Sequence, residues 1–385
     1  MVHVRGGKLC NAVFVLLNII LIAVSSAYCD DSTVKSGKLP STQYEVKIDP
    51  SQWKIVVEAA KKEGRLVICG APSEEWRKSL VDMFQQEFPE IKVEYTGING
   101  RDFWPRMRKE RELGQKLWDL RAGGIEALAY PAKRDGFLDP IRPLLLPENA
   151  SDSKWVGGLD GLFNDKEKKF MPTYTIYIQR TVAVNRDFIK ESEITSSEQL
   201  LDPKFKGKIV MQNPTAGASY TALGNLGFMY GGNFLRDLLS KQNVAVTNDN
   251  RQEGEWLVRG KYPLAIGLVK TQLIPYIKQG IGKNVIKLED KIIPVGTGFG
   301  GITLMKDAPH PNAAKVYINW LLSQKTQLKL TKNVFLNSRR TDVPPVDKET
   351  AVDPSNLSNY RFYSTEENDE ITTRFLPIIR EALKY

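Results

Sequence analysis

Residues 200–220, LLDPKFKGKIVMQNPTAGASY, decide the fold class. The apolar run Lys208–Met211 reads as a strand, and the small, hydroxylated residues after it open a helix over 219–230, so the segment is a strand-to-helix turn. Thr215, Gly217 and Ser219 present hydroxyls and backbone N–H groups at that helix start. Two readings stand, ordinary helix capping and a site for an anionic group. Lys204, Lys206 and Lys208 precede it without the broad basic face and exposed aromatics that nucleic-acid binding needs, and no G-x-x-x-x-G-K-[ST] pattern occurs there. The turn reads as solvated, with no nucleic acid as partner.

Strand and helix alternate on both sides of this turn. Upstream, a helix over 53–62, a strand over 65–69 and a helix opened by Pro72 and Ser73, with Glu74 and Glu75 suiting its dipole, precede a strand at Ile91, Val93 and Tyr95. Trp76, Leu80, Met83, Phe84 and Phe88 make one apolar face. Downstream come strands at 243–246 and 264–269 around a helix at 253–259. Such alternation predicts an α/β fold with parallel sheets. Pro311 opens a further helix, HPNAAKVYINWLLSQKTQLKL, and a terminal helix from Glu366 carries Ile371, Phe375, Ile378 and Ile379 inward.

At 385 residues the chain exceeds what one core usually serves, and its 42% hydrophobic and 26% charged content is that of a globular protein. Two lobes are expected. Arg5 and Lys8 ahead of the apolar run 12–24, followed by Ser25, Ser26 and Ala27, read as a signal peptide over 1–27, with a linker over 28–50. Tyr28 is bulky where a lipid-anchored start at Cys29 wants a small residue, so export without an anchor is expected. Removal of Arg5 and Lys8 takes the formal charge from +9 to +7. Cys29 and Cys69 then remain in an oxidising compartment, and the spacing leaves their pairing open.

Catalytic classes are narrowed by what the chain lacks. His310 is the single histidine beyond the signal segment, which excludes a histidine-rich metal site and ties any serine or cysteine triad to one residue between two prolines. Cys69 at a strand end reads as a small buried hydrophobe. GTGFGG, Gly296 to Gly301, matches a dinucleotide fingerprint in letters, but an apolar strand, 302–305, follows it where a helix is required. Those glycines read instead as a close-packed connection between lobes. No cofactor is expected.

The stretches AAKKEGRLVICGAPSEEW, LLDPKFKGKIVMQNPTAGASY, VRGKYPLAIGLV and APHPNAAKVYINWLLS, in that order over about 53–327, resemble a bacterial extracellular solute-binding protein of ABC transporters, similar to the ferric-ion-binding type. The resemblance implies a two-lobe, type II periplasmic-binding-protein-like α/β fold, with a first lobe over 51–181, a second over 182–297 and a return over 298–330. A C-terminal extension, 331–385, would pack on one lobe. Ligand contacts would come from Ser73 in the Ala71–Glu75 loop, from Thr215, Gly217 and Ser219, and from Asn250 and Arg251. In ferric-binding relatives two adjacent tyrosines follow the segment matching LAIGLV; here Lys270, Thr271 and Gln272 stand there. A lysine opposes a trivalent cation and suits a carboxylate, sulfonate, phosphonate or phosphate, so Lys270 and Thr271 join the expected site and no metal is expected. Arg101 is a second candidate, as anion contact or surface residue, and Tyr174 and Tyr177 are candidates for the organic part or for strand packing.

These readings converge on a periplasmic receptor, not an enzyme, that captures a small anionic solute as a monomer and delivers it to an inner-membrane permease. A ferric carrier is the alternative within the fold. A secreted enzyme and a sensor subunit are the alternatives of other classes.

Overall fold

The computed structural model describes residues 50–383 apart from 126 and 216, so the expected signal segment, Cys29 and nearly all of the linker lie outside the described residues. Strands β1 (Arg65–Gly70), β2 (Lys92–Gly97), β3 (Leu120–Gly123) and β4 (Leu138–Asp139) come first. β5 (Tyr177–Ile178), β6 (Val182–Asn185), β7 (Ile209–Met211), β8 (Ala245–Val246), β9 (Leu264–Ile266) and β10 (Val285–Lys287) follow. β11 (Ile293–Gly296), β12 (Gly301–Met305) and β13 (Tyr360–Phe362) complete the set. One five-stranded sheet is ordered β2-β1-β3-β12-β4 and a second β10-β6-β9-β7-β8, while a three-stranded sheet, β13-β11-β5, lies on the chain path between them.

The sheets are mixed where the alternation predicts parallel ones. β1 runs parallel to β2 and β3, and β7 to β8 and β9, but β12 is antiparallel to β3 and β6 is antiparallel to β9. The cause is topological. A parallel neighbour needs a covering crossover, whereas β6 and β12 each enter a large sheet directly from the small one, as the continuations of β5 and β11.

Burial follows the apolar patterns. Leu66 and Ile68 of β1 are fully buried with Phe84, whose ring lies 4.9 Å from Tyr317 and 5.0 Å from Trp320. In the second core Ile209 and Met211 pack with Leu223 and Leu226 of the Gly217–Lys241 helix. Three helices differ from expectation. The helix opened by Ser73 carries a π turn, Lys78–Asp82. The Pro311 helix stops at Leu322, because Ser323 caps a new helix, Gln324–Val334, by accepting from the Thr326 N–H at 3.3 Å. The Gly217 helix begins two residues before Ser219 and continues to Lys241 across a kink at Gly231, where φ is 87°.

The C-terminal extension, expected on one lobe, holds both. Glu366, fully buried, pairs with Lys133 at 2.6 Å and Arg134 at 3.4 Å and accepts from the Lys166 N–H at 3.1 Å. That end is fixed beside the first sheet's helices. The helices Glu366–Arg374 and Leu376–Leu383 then lie along the Gly217–Lys241 helix, so closely that a Cβ on Gly224 would sit 2.3 Å from Thr372 and one on Gly227 2.8 Å from Phe375. Glycine there permits the approach.

Candidate functional site

Two helix starts face a shared cleft. Asn99, in extended conformation and making no side-chain cap, precedes the Gly100–Glu112 helix, and Thr215 and Gly217 lead into the Gly217–Lys241 helix. Asn213 fixes the second turn, accepting from the Thr215 N–H at 2.9 Å and the Thr215 hydroxyl at 2.8 Å. A helix start carries partial positive charge and N–H groups aimed outward, so a space flanked by two of them favours an anion. Arg101, 76% exposed and 3.8 Å from the adjacent Asp102 carboxylate, adds a full charge at the rim.

The cleft encloses about 660 Å³. Its walls come from the loop after β3 (Gly124, Ile125, Leu128), from the crossings between the sheets (Tyr177, Gln179, Thr297, Gly298, Phe299), and from the C-terminal segment (Tyr363, Ser364, Asp369, Thr372). The GTGFGG glycines serve close packing: a Cβ on Gly300 would fall 1.8 Å from the Thr175 hydroxyl, and Gly298 has φ of 55°. On the cleft wall, Tyr177 and Tyr363 both donate to Gln179 Oε1, at 2.9 and 2.5 Å, and burial pushes both phenols up. Burial, with the Glu366 and Glu370 charges adding to it, holds the Asp369 carboxyl at about 6.

Of the residues expected at the site, Arg101, Thr215, Gly217 and the weighed Tyr177 line this cleft. The others are placed elsewhere. Ser73 caps its helix, accepting from the Trp76 N–H and donating to Glu75 at 2.9 Å. Tyr174 is fully buried in the first core. Ser219 is buried as a clasp, donating to the Ile266 carbonyl at 3.1 Å and accepting from the Gln212 N–H at 2.9 Å. Asn250 and Arg251 are exposed in the first turn of a helix capped by Asp249. Lys270, in the short turn it shares with Thr271, pairs with Glu349 at 2.7 Å and Asp347 at 3.2 Å. Burial pulls its pKa down, and those two carboxylates outweigh that and leave it raised. The charge expected to meet a ligand thus meets the C-terminal segment.

Sequence reasoning missed Tyr130, Tyr220, Gln179, Thr297 and Asp369, all cleft residues. Tyr220 ends the NPTAGASY stretch and Thr297 lies within GTGFGG, so both were within reach of a signal; Asp369 sits in a polar tail with none. No trio of histidine, cysteine or carboxylate side chains is grouped for a metal among the described residues, and no described helix is long and apolar enough to cross a membrane.

Two mixed sheets joined by crossing strands, with a cleft at the join, define a two-lobed binding protein of the type II periplasmic class. Solved structures share this fold. Iron-bound HitA from Pseudomonas aeruginosa superposes with a TM-score of 0.61 at 16% identity, over 83% of this chain and 99% of that one. AfuA from Actinobacillus pleuropneumoniae, solved with fructose-6-phosphate bound, gives 0.57 at 19% identity, over 83% and 99%. Iron uptake protein A1 of Synechocystis sp. is 21% identical over 225 residues, 54% of this chain and 58% of the relative. The chain spans about half the length of the curated relatives it matches. Residues 70–328 match the model of the bacterial extracellular solute-binding protein family, and the chain belongs to that family.

Proposed function

We propose that this protein is the periplasmic receptor of an ABC importer, binding a small anionic organic solute between its lobes, closing on it by hinge motion and delivering it to a permease in the inner membrane. No bond is made or broken in this reading, and one copy suffices for the clamp. The observation that carries it is the pair of helix starts at Gly100 and Gly217, both lining one cleft together with Arg101. A cleft of about 660 Å³ falls within the ordinary range for organic ligands, roughly 300–1,000 Å³, and exceeds what a bare ion fills.

The test is a thermal-melt screen of the mature protein against phosphate, phosphonates, sulfonates and organic acids. A ligand at a hundred times its dissociation constant adds about 2.7 kcal/mol, a shift of a few degrees in a chain of this size. The expected result is a shift with one anionic class that Arg101→Ala reduces. Silence across all the anions would remove the anion reading.

Ferric-ion carriage is the second reading, favoured by Tyr130, Tyr177, Tyr220 and Tyr363 with Asp369 around the cleft and by the iron-bound neighbour. Against it, Tyr177 and Tyr363 donate to Gln179 and Tyr130 donates to the Ser364 carbonyl, so binding iron would break three hydrogen bonds and ionise phenols that burial holds protonated. Metal content and phenolate-to-iron colour on purification separate the two.

A further inference from the structure

Gln179 stands on the crossing that leads from β5 into β6, half-buried in the cleft wall. Its two phenol neighbours fix how the amide is turned. Burial keeps Tyr177 and Tyr363 protonated, so each hydroxyl proton needs an acceptor. Among the described residues the acceptor of both is Gln179 Oε1, at 2.9 and 2.5 Å, and an amide oxygen has two lone pairs to give. The oxygen is thereby filled. Turning the amide over would set N–H groups against both phenols and leave two hydroxyl protons without an acceptor. The nitrogen is therefore the end left over: Nε2 carries two donors, makes no hydrogen bond among the described residues and is not sealed in the interior.

The backbone sets these donors beside the Gly217 helix start. Two residues beyond Gln179, the Thr181 carbonyl accepts from the Gly267 N–H at 2.9 Å. Gly267 lies so close to the helix that a Cβ on it would fall 2.6 Å from the Ser219 Cα and 2.8 Å from the Ala218 carbonyl carbon. Two residues of chain span at most roughly 7 Å. Gln179, Thr215 and Gly217 thus line the same part of the cleft, with amide and backbone donors together.

We propose that Gln179 is a ligand-contacting residue whose Nε2 donates to an oxygen of the solute's anionic group, and that Tyr177 and Tyr363 are positioning residues that hold the amide nitrogen toward the cleft. This rests on the reading that the helix starts hold the anion. Through Tyr363 the C-terminal segment then takes part in recognition.

Calorimetric titration of the mature protein with inorganic phosphate, methylphosphonate, methanesulfonate and acetate tests it. Gln179→Glu keeps an acceptor for both phenols, so melts should show it folded, while it removes both donors. Whichever of these anions the wild type binds should bind Gln179→Glu and Gln179→Ala at least about tenfold more weakly, the size of one hydrogen bond to a charged group. Tyr363→Phe should weaken binding in the wild-type background and leave it unchanged in the Gln179→Ala background, a coupling that a purely structural role for Tyr363 would not give. Unchanged affinity in either folded Gln179 variant overturns the assignment of Gln179 while leaving the anion cleft standing. An equal effect of Tyr363→Phe in both backgrounds overturns its positioning role. Failure of the wild type to bind any of these anions overturns the anion cleft and this proposal with it.

Discussion

The two ends of the C-terminal segment are held by opposite physics. At Glu366 the attachment is a buried ion pair with Lys133, whose side chain is 4% exposed, reinforced by Arg134 and the Lys166 N–H. Along the Gly217–Lys241 helix it is contact packing, Thr372, Phe375 and Ile378 set against Gly224, Gly227 and Gly232. The first is narrow and intolerant of losing one partner. The second is spread over two turns and intolerant of added volume.

The largest expected effect strikes the ionic end. Glu366→Ala leaves the buried Lys133 ammonium with the half-exposed Glu167 as its remaining carboxylate partner and should cost about 1–3 kcal/mol in urea unfolding, while the double change Lys133→Met, Glu366→Leu should recover part of it, since it removes the under-compensated buried charge. A double variant no more stable than the single one would mean that Glu167 compensates Lys133 in full. At the packed end, Gly224→Val should cost about 1–3 kcal/mol by overpacking against Thr372, and truncating Thr372 to Ala should relieve part of that.

Between the two ends, Asp369 gives a pH signature. Its pKa rises from an ordinary 3.8 to about 6 in the fold, so the folded state binds the proton more tightly. The stability this contributes is fully present below the ordinary value and is lost as pH rises through about 6. Asp369→Asn should flatten that decline and be no less stable than wild type at pH 7, whatever it does to ligand affinity; a melt series from pH 4 to pH 8 reads the slope. The smallest effect is expected at Lys270→Ala, which removes half-exposed pairs with Asp347 and Glu349 and should change stability by about 0–1 kcal/mol.

The sequence disclosed periodic features and concealed those made by distant chain meetings. Strands such as Arg65–Gly70 and helix starts such as Ser73 and Gly217 were legible because apolar spacing and capping chemistry are local. The antiparallel runs of β6 and β12 were not, since direction depends on where the chain arrives from. At the site, Thr215 and Gly217 were found through turn chemistry and Arg101 as a candidate anion contact, whereas Lys270 misled: its partners Asp347 and Glu349 lie more than seventy residues away in a tail with no motif. Asp369 was invisible for the same reason.

The small sheet β13-β11-β5 changes the mechanics of the molecule. A hinge of two separate crossings can swivel freely about the line between them, but here a third strand, β13, is hydrogen-bonded alongside, pairing Ile293 with Tyr360 through Val295 with Phe362. A ribbon three strands wide resists shear in its own plane and flexes perpendicular to it. In the closure proposed above, motion of the lobes would thereby be channelled into one soft direction, as a leaf spring allows travel along one line and refuses it along the others.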